Sequence, residues 1–501
     1  MAVASEQNAG FNTGYQYAPE PMGKGRKLRI LMVGAGIAGI GAVKIFKDTF
    51  PNSEMELVIY EKNSDVTGTW LENRYPGKRR CGCDVPAHAY TYSWEGNQRW
   101  SGRALAYGID DFVHLNHRVD SAAWDDKNGK WTINVTDRRT GSSFKDEGEI
   151  LINAAGFLNS WKWPEIPGLH DYSGKLMHSA SWDPDYDFKE KKVIIVGSGS
   201  SAIQIVPQIQ PKVKHLISIN RSKGWISTEW GGELAPKGRD TFFSDTQKET
   251  WAMNKKEFLE YRQKIESAII KMSEINYKGS ELQKWAYENF TELMRKRLGY
   301  RQDLIEKLGM LRMFNPRSYG FGHGYLEALA ADNVSVVTTA IQAVTKTGLL
   351  MADGSNLEAD TIICATGFDT SFRPAFPIVA FGQDLRELWK EEPTAYLSIA
   401  AAGIPNYFSE SLLGCGNMRS LIAWLTYQTY TVMTGPNFTI SNGPVIACIE
   451  ANVRYAFAAA KKIQYEGIKS LSPKPGAVHD FQQYKDSLMK DLVWTGNCTS
   501  W

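Results

Sequence analysis

The sequence predicts an α/β protein built from two parallel-sheet units and a helical insertion. Each unit begins with a short apolar strand, at residues 28–33 and 192–196, that runs directly into a glycine-rich turn and a helical pattern. Between residues 247 and 308, apolar side chains recur every three or four positions, which is the period of one helix face. Strand, glycine turn and helix in this order are typical of dinucleotide-binding folds. We therefore expect two Rossmann-like, dinucleotide-binding domains.

The remaining elements set the domain boundaries that we expect. Further strands are predicted at residues 56–60, 215–220, 334–338 and 359–364, and a helix at 443–468. The first domain is expected to combine both ends of the chain, and the second to be interrupted by the helical insertion. The expected ranges are 1–170 with 367–501 for the first domain, 171–246 with 309–366 for the second, and 247–308 for the insertion.

The first glycine turn has the residues that a dinucleotide phosphate requires. Gly34 allows the tight turn, Gly36 lets the backbone approach a pyrophosphate, and Gly39 lets helix and strand pack closely. The amides at the helix N-terminus and its partial positive charge favour phosphate. Glu61 ends the next strand, where a carboxylate can accept both ribose hydroxyls and repel a 2′-phosphate. We therefore expect FAD at this turn, which also includes Ala38.

The second turn differs at the place of the acidic residue. Ala202 stands where a third glycine often occurs, which the motif allows. The following strand ends in Arg221 and Ser222 and carries no acid. Because an arginine at this place suits the 2′-phosphate of NADP, we expect NADPH at the second turn.

Composition excludes several classes of protein. Of the 501 residues, 43% are hydrophobic and 22% are charged, which is ordinary for a globular chain and excludes a disordered or collagen-like one. The 57 Lys and Arg against 55 Asp and Glu leave a net charge of +2, so a nucleic-acid partner has no electrostatic support. No run of about 18 apolar residues occurs, and the polar N-terminus lacks the apolar core of a signal peptide. We expect no membrane span.

Cysteine usage bears on both location and chemistry. Six cysteines are too sparse for a disulfide framework and indicate a reducing compartment, so we expect a cytoplasmic protein. A protein with FAD and NADPH is either a reductase or an oxygenase, and dithiol reductases need a redox pair near the flavin. The close pair Cys81 and Cys83 is spaced CxC rather than CxxC, which disfavours that reductase class. With His88 it lacks a second ligand pair, so we expect no metal.

Four motifs, taken in order, resemble those of the flavin-dependent Baeyer–Villiger monooxygenases. Residues 67–77 (TGTWLENRYPG), followed by Asp84, are similar to the active-site fingerprint of that family. Residues 172–183 (YSGKLMHSASWD) are similar to its second signature, and residues 365–368 (ATGF) to its interdomain linker. Residues 153–157 (NAAGF) are similar to the related strand end. The resemblance covers about residues 28–500 and is greatest to the fungal branch that modifies secondary metabolites.

The resemblance implies cofactor-binding roles for matching positions. Thr69 and Trp70 would line the isoalloxazine of FAD, and Tyr90 and Val119 would also lie near FAD. The residues that would hold NADP are Gly197, Ser198, Gly199, Ser200, Ser201, Ala202, Gln204, Arg221 and Ser222. Leu311 replaces a basic residue that usually helps to hold the NADP phosphate.

The resemblance also implies a reaction and its catalytic residues. In the family, NADPH reduces FAD, the reduced flavin reacts with O2, and oxygen is inserted beside a ketone carbonyl to give an ester or lactone. The reacting oxygen carries negative charge, which a fixed cation stabilises. Arg312 sits where the family places its catalytic arginine, with Arg317 as its rival, and Asp84 would hold the guanidinium.

Two alternatives stay open at this point. A heteroatom-oxidising flavin monooxygenase shares both glycine turns, although the HSASWD ending of residues 178–183 favours the Baeyer–Villiger family. The other is a flavoprotein without oxygenase activity, since the sequence departs from the family at residues 78–83, 100–107 and 409–434. A divergent enzyme, a retained intron or a misjudged splice site would each produce these departures.

Overall fold

Two five-stranded sheets, each entirely parallel, carry the two glycine turns in the computed structural model. The structure describes residues 24–51, 54–77, 104–221, 224–227, 244–308, 319–321, 324–369, 371–409 and 445–492. This architecture confirms the predicted α/β fold with two Rossmann-like units.

The strands of the described residues are, in chain order, β1 (Leu28–Val33), β2 (Met55–Glu61), β3 (Val113–Leu115), β4 (His117–Asp125), β5 (Lys130–Asp137), β6 (Ser143–Gly148), β7 (Ile150–Asn153), β8 (Lys175–His178), β9 (Lys192–Val196), β10 (His215–Ile219), β11 (Trp225–Ser227), β12 (Tyr319–Phe321), β13 (Val334–Val337), β14 (Ile341–Val344), β15 (Gly348–Met351), β16 (Asn356–Glu358), β17 (Thr361–Cys364), β18 (Ile378–Ala380), β19 (Gln383–Asp384) and β20 (Tyr407–Ser409). The helices are α1 (Ile37–Thr49), α2 (Thr69–Glu72), α3 (Ser200–Ile209), α4 (Asp245–Met253), α5 (Lys255–Lys271), α6 (Glu281–Arg297), α7 (Gln302–Leu308), α8 (Tyr325–Leu329), α9 (Leu385–Leu388), α10 (Val445–Tyr465) and α11 (Pro475–Met489).

The first parallel sheet has the strand order β20-β7-β1-β2-β3. Met32 of β1 lies between Ile59 of β2 and Ile152 of β7, and β1 is buried along nearly its whole length, as its apolar run predicts. Helices α1 and α10 share its core, where the rings of Phe46 and Phe457 meet edge to face with centroids 5.9 Å apart. Because β20 pairs with β7, a segment from the C-terminal part of the chain completes the sheet that the N-terminal part begins.

The second parallel sheet has the order β13-β10-β9-β17-β8. Ile195 of β9 lies between Ser218 of β10 and Ile363 of β17. Helices α3 and α8 share one core with α6, which contributes Phe290. The helical insertion is thereby packed against the second unit.

The predicted helical region at residues 247–308 contains α4, α5, α6 and α7. Helix α6 begins at the N-cap Ser280, whose hydroxyl accepts a hydrogen bond from the Gln283 amide at 3.1 Å. Ala286, Phe290 and Met294 are buried, at the spacing of one helix face.

A third sheet, which the sequence analysis did not predict, has the order β19-β18-β4-β5-β6 and is mainly antiparallel. Strand β5 alternates between its faces, with Trp131, Ile133 and Val135 buried. The indole of Trp131 donates a hydrogen bond to the Pro405 carbonyl at 2.9 Å, which ties this sheet to the segment before β20.

The predicted domain boundaries stay a prediction, although β20 lies in the first sheet and β8 and β17 lie in the second. Residues 78–83, 100–103 and 410–434, which carry most of the departures from the family pattern, lie outside the described residues. Of the helices that the structure describes, none is both long enough and apolar enough to cross a membrane. The described ranges contain no cluster of three or more metal-ligating side chains.

Candidate dinucleotide-binding and active site

The first glycine turn is shaped by a close approach between two backbone segments. Gly34 has φ of +107°, and a Cβ atom there would lie 2.5 Å from the carbonyl oxygen of Ala154. The Gly34 amide donates to the Tyr60 carbonyl at 2.8 Å, and the Ala154 amide donates to the Val33 carbonyl at 2.8 Å. Only glycine fits both the conformation and the space. The turn is therefore held between the ends of β2 and β7.

The start of helix α1 is suited to a pyrophosphate. Gly36 is its N-cap residue and has no side chain to cap the helix, and the first turn contains no acidic residue. A Cβ on Gly36 would meet one described atom within 4 Å, the Gly68 Cα at 3.9 Å. A Cβ on Gly39 would instead lie 2.6 Å from the Gly34 carbonyl oxygen, so this glycine is needed for close packing. The amides at this N-terminus fit the phosphates of a dinucleotide.

Glu61 lies at the end of β2 and is oriented by the turn itself. One carboxylate oxygen accepts the Ala35 amide at 2.8 Å, and the other accepts the Asn63 amide at 2.9 Å. The residue is 4% exposed, and its burial raises the pKa of the carboxyl, against the lowering effect of the two amides and Lys62. Each oxygen keeps a second lone pair, so the carboxylate can still accept ribose hydroxyls.

A polar cavity of about 370 Å³ begins next to Glu61 at Asn63. Its lining residues come from the end of β2, from α2 and from the ends of β3 and β5. They are Asn63, Ser64, Leu71, Glu72, Arg74, Asn116 and Arg138.

The second glycine turn repeats the geometry of the first. Gly197 has φ of +121°, and a Cβ atom there would lie 2.5 Å from the Ala365 carbonyl oxygen. The Gly197 amide donates to the Ile219 carbonyl at 3.1 Å, and the Ala365 amide donates to the Val196 carbonyl at 2.9 Å. Gly199 is the N-cap of α3, and a Cβ on it would meet no described atom within 4 Å. The N-terminus of α3 is therefore open to a phosphate, as is the N-terminus of α1.

Arg221 lies two residues beyond the end of β10, after Asn220, and is exposed. Ser200, Ser201 and Ala202 form the first turn of α3, with Gln204 one turn further along. The structure thus brings the described residues of the predicted NADP set to one edge of the second sheet.

The fingerprint segment starts against the first turn. The Thr67 amide donates to the Ala35 carbonyl at 2.9 Å, and Thr67 is buried with φ of +89°. A positive φ is costly for a β-branched residue, so the surrounding contacts must hold it. A Cβ on Gly68 would lie 3.2 Å from the Gly36 Cα, and α2 begins at Thr69, followed by Trp70. Thr69 and Trp70 therefore lie at the start of a helix that is adjacent to the turn expected to hold FAD.

The same segment ends on the second unit. The side-chain Nε2 of Gln204 donates to the Tyr75 hydroxyl at 3.5 Å, and the Ser201 side chain also hydrogen-bonds that hydroxyl. Burial raises the pKa of Tyr75, against the lowering effect of these two hydrogen bonds. A Cβ on Gly77, where φ is +77°, would lie 2.2 Å from the Gln204 carbonyl oxygen. The fingerprint segment therefore connects the first glycine turn with helix α3, which follows the second glycine turn. This role of Tyr75 and Gly77 was not predicted from the sequence.

The second signature meets the interdomain linker at His178. The Ala180 amide donates to Nδ1 of His178 at 3.1 Å, so Nε2 carries the proton and donates to the Thr366 hydroxyl at 3.2 Å. The imidazole stacks on the Trp161 indole with centroids 4.4 Å apart and meets Trp163 edge to face at 5.6 Å. Burial lowers the pKa of His178 to about 4. The contact joins two motifs that are far apart in the sequence.

Other predicted site residues lie in the core or outside the described ranges. Val119 on β4 is buried, with its side chain in the core of the third sheet. The predicted residues that lie outside the described ranges are Asp84, Tyr90, Ser222, Arg312, its rival Arg317, and the pair Cys81 and Cys83.

Fold and turns together define a protein with two dinucleotide-binding units, of the flavin-dependent oxidoreductase class. Residues 113–237 match the family model described as flavin-binding monooxygenase-like. The chain is 35% identical over 493 residues to the FAD-binding monooxygenase tazF of Aspergillus terreus, which covers 95% of this chain and 83% of that protein. It is 30% identical over 500 residues to a Baeyer–Villiger monooxygenase of Streptomyces coelicolor, at 95% and 86% coverage. The chain belongs to the family of FAD-binding monooxygenases, which confirms the expected family, its FAD cofactor and its enzymatic class.

Solved structures confirm the fold. Cyclohexanone monooxygenase from Rhodococcus sp. Phi1, bound to NADP+, matches with a TM-score of 0.72 at 20% identity, covering 93% of this chain and 90% of that chain. The OTEMO complex with FAD and NADP matches with a TM-score of 0.75 at 20% identity, covering 94% of this chain and 91% of that chain.

Proposed function

We propose that the protein is an NADPH- and O2-dependent Baeyer–Villiger monooxygenase that acts on a ketone in secondary metabolism. The observation that carries the proposal is the contact between the two Baeyer–Villiger motifs, in which His178 bonds Thr366 at 3.2 Å. A heteroatom-oxidising flavin monooxygenase would share the glycine turns, but residues 178–183 (HSASWD), which end the second signature, favour a Baeyer–Villiger monooxygenase. Fungal and bacterial relatives named FAD-binding or Baeyer–Villiger monooxygenase support the same choice.

FAD is assigned to the first unit, expected to comprise residues 1–170 and 367–501. The amides at the start of α1 would bind its pyrophosphate. The residues of this turn assigned to FAD are Gly34, Gly36, Ala38 and Gly39. Glu61, fixed by two backbone amides, would accept the ribose hydroxyls. Its negative charge disfavours a 2′-phosphate in this unit. The remaining residues assigned to FAD are Thr69, Trp70, Asp84, Tyr90 and Val119.

NADPH is assigned to the second unit, expected to comprise residues 171–246 and 309–366 and to be interrupted by the insertion at 247–308. The start of α3 would bind the pyrophosphate, and Arg221 would bind the 2′-phosphate. The residues assigned to this dinucleotide are Gly197, Ser198, Gly199, Ser200, Ser201, Ala202, Gln204, Arg221 and Ser222.

FAD, when bound and reduced, supplies the chemistry that activates O2. Arg312 would hold a permanent positive charge against the negative oxygen that attacks the ketone carbonyl, because a guanidinium stays protonated at any working pH. Asp84 would orient that guanidinium. A carbon substituent then migrates from the carbonyl carbon to oxygen. Ketone, O2, NADPH and one proton give ester or lactone, NADP+ and water.

The proposed compartment is the cytoplasm, since Cys364 and Cys448, the cysteines within the described residues, are both free and buried.

The proposal is tested on purified protein with NADPH and matched panels of cyclic ketones, sulfides and amines. We expect a flavin absorbance, NADPH oxidation that a ketone stimulates, and an ester or lactone product. Oxidation of sulfides or amines without any ester would favour the heteroatom-oxidising alternative. Hydrogen peroxide as the product with every ketone would favour a flavoprotein that has lost oxygenase activity.

A further inference from the structure

The two dinucleotide units can be aligned residue by residue through the hydrogen bonds of their turns. The Gly34 amide bonds the Tyr60 carbonyl at 2.8 Å, and the Gly197 amide bonds the Ile219 carbonyl at 3.1 Å. The residue after each acceptor therefore stands at the same place in its unit. That residue is Glu61 in the first unit and Asn220 in the second.

The side chains at these equivalent places are held in different ways. The Glu61 carboxylate accepts the Ala35 amide of its own glycine turn at 2.8 Å. The Asn220 carboxamide instead accepts the Ser218 hydroxyl at 2.9 Å and donates to the Tyr325 hydroxyl at 3.3 Å. All three residues of this second network are buried. The Asn220 side chain is thus fixed beneath α8 by two hydroxyl groups.

Tyr325 is a stable partner for the Asn220 amide. Its ring is enclosed, and burial raises the pKa of its hydroxyl to about 12. The hydroxyl therefore keeps its proton at any working pH and can accept from Asn220 while it hydrogen-bonds Ser218. This arrangement leaves the end of β10 without a negative charge.

Arg221, the next residue, presents a positive charge at the same strand end. Its side chain is exposed, and within the described part of the chain it forms no hydrogen bond or ion pair. A carboxylate at position 220 would accept ribose hydroxyls and repel a 2′-phosphate, whereas a neutral amide turned inward does neither.

We propose that Asn220, held by Ser218 and Tyr325, is a specificity-determining residue of the second unit. It keeps a negative charge and a ribose acceptor away from the 2′ position, so that Arg221 selects the 2′-phosphate of the dinucleotide. The inference rests on the proposed function, in which this unit binds NADPH.

The test is a binding measurement without turnover. The dissociation constants of NADP+ and NAD+ are measured by calorimetry on FAD-loaded protein and on its Asn220→Asp variant. The aspartate has the same size and can accept from the Ser218 hydroxyl, and also from the Tyr325 hydroxyl once that group turns its proton from Ser218 to the carboxylate, so the added charge is the main change. We expect NADP+ binding to weaken by roughly tenfold or more, as a like-charge contact implies, and NAD+ binding to stay unchanged or tighten. An unchanged ratio, or an equal loss for both nucleotides, would overturn the proposal.

Two further variants keep the test decisive. Asn289→Asp introduces the same charge on an exposed position of α6 and should leave both dissociation constants unchanged. If Asn220→Asp does not retain FAD, Tyr325→Phe decides, because it removes the hydroxyl that holds the amide inward. A lower preference for NADP+ in Tyr325→Phe supports the proposal, and an unchanged preference overturns it. Failure of the proposed function is seen separately, in the unsubstituted protein, as an absence of ketone oxidation.

Discussion

The imidazole of His178 stacks on the indole of Trp161 with their ring centroids 4.4 Å apart. The stack lies between the second signature and the segment that follows β7, and it leaves Nε2 directed at Thr366 of the linker. Its enclosure makes a charged imidazole unfavourable, so this contact gives the fold a pH dependence that can be measured.

The first prediction concerns that pH dependence. Burial lowers the pKa of His178 to about 4, whereas the pKa of an exposed histidine is about 6.5. Between these values the unfolded chain binds the proton and the folded chain does not, so stabilisation by neutral His178 is present above the higher value and lost as pH falls toward the lower one. The unfolding free energy of the unsubstituted protein should fall between pH 7 and pH 5. In His178→Gln this fall should be smaller by roughly 1–2 kcal/mol.

The measurement is thermal or denaturant unfolding at both pH values. The matched control is His479→Gln, an exposed histidine on α11, which should leave the pH dependence unchanged. A pH dependence that is identical in His178→Gln and in unsubstituted protein would contradict the assignment.

The second prediction concerns flavin binding by Glu61. Glu61→Gln keeps the size of the side chain but places an NH2 group where one of two backbone amides now donates. It also removes the charge offered to the ribose hydroxyls. We expect the dissociation constant of FAD to rise by about tenfold or more, measured by flavin fluorescence on reconstitution of the apoprotein. Glu165→Gln, an exposed control, should bind FAD normally; normal binding by Glu61→Gln would remove Glu61 from this role.

The third prediction concerns the charge on Arg221. A hydrogen bond to a charged group contributes about 1.5–3 kcal/mol, so Arg221→Ala should raise the Michaelis constant for NADPH by about tenfold or more. The constant for NADH should hardly change, because NADH has no 2′-phosphate. Arg295→Ala, on the exposed face of α6, controls for the loss of a surface charge. Equal losses with NADPH and NADH would contradict the role given to Arg221.

The fourth prediction concerns the contact between the fingerprint and the second unit. Gly77→Ala would place a Cβ 2.2 Å from the Gln204 carbonyl oxygen, so the segment must move away from α3. Gly279→Ala is the matched control, because its φ of +75° carries the same backbone strain while no described atom lies within 4 Å of the added methyl. We expect Gly77→Ala to lower the unfolding temperature further than Gly279→Ala and to slow reduction of bound FAD by NADPH. If the two variants have the same unfolding temperature and the same rate of FAD reduction, the contact between Gly77 and Gln204 contributes to neither stability nor reduction.

The two glycine turns could be predicted from the sequence because their conformation depends on short-range steric limits. Gly34 and Gly197 have positive φ, and each is preceded by a buried strand. The exchange of Glu61 for a neutral residue in the second unit could also be seen in the sequence. These signals are local, and they predicted the order of strands and helices around each turn.

Contacts between distant segments could not be predicted in this way. Strand β20 completes the first sheet by pairing with β7, and Tyr75 meets Gln204 across the two units. Neither pairing leaves a periodic signal in a single sequence, because each depends on how separately formed elements pack. The stack of Trp161 on His178 is of the same kind, since Trp161 follows β7 of the first sheet and His178 ends β8 of the second sheet.

The fifth prediction concerns the oxygenating step. Arg312→Ala should still bind FAD and still be reduced by NADPH, since the residues assigned to those functions lie elsewhere. Ester formation should fall by about a hundredfold or more, because removal of one electrostatic contact of this kind costs about 2.7–4 kcal/mol. Reducing equivalents should then appear as hydrogen peroxide. Arg317→Ala is the control; if it abolishes ester formation while Arg312→Ala does not, Arg317 is the catalytic residue.

The most direct measurement of oxygen insertion beside a carbonyl is turnover of a cyclic ketone under isotopically labelled O2. NADPH consumed, ester or lactone formed and label incorporated are followed together by absorbance and mass spectrometry. We expect one labelled oxygen atom in each ester or lactone and one NADPH consumed for each product molecule. Ketone recovered unchanged, with one labelled hydrogen peroxide formed for each NADPH consumed, would contradict this expectation.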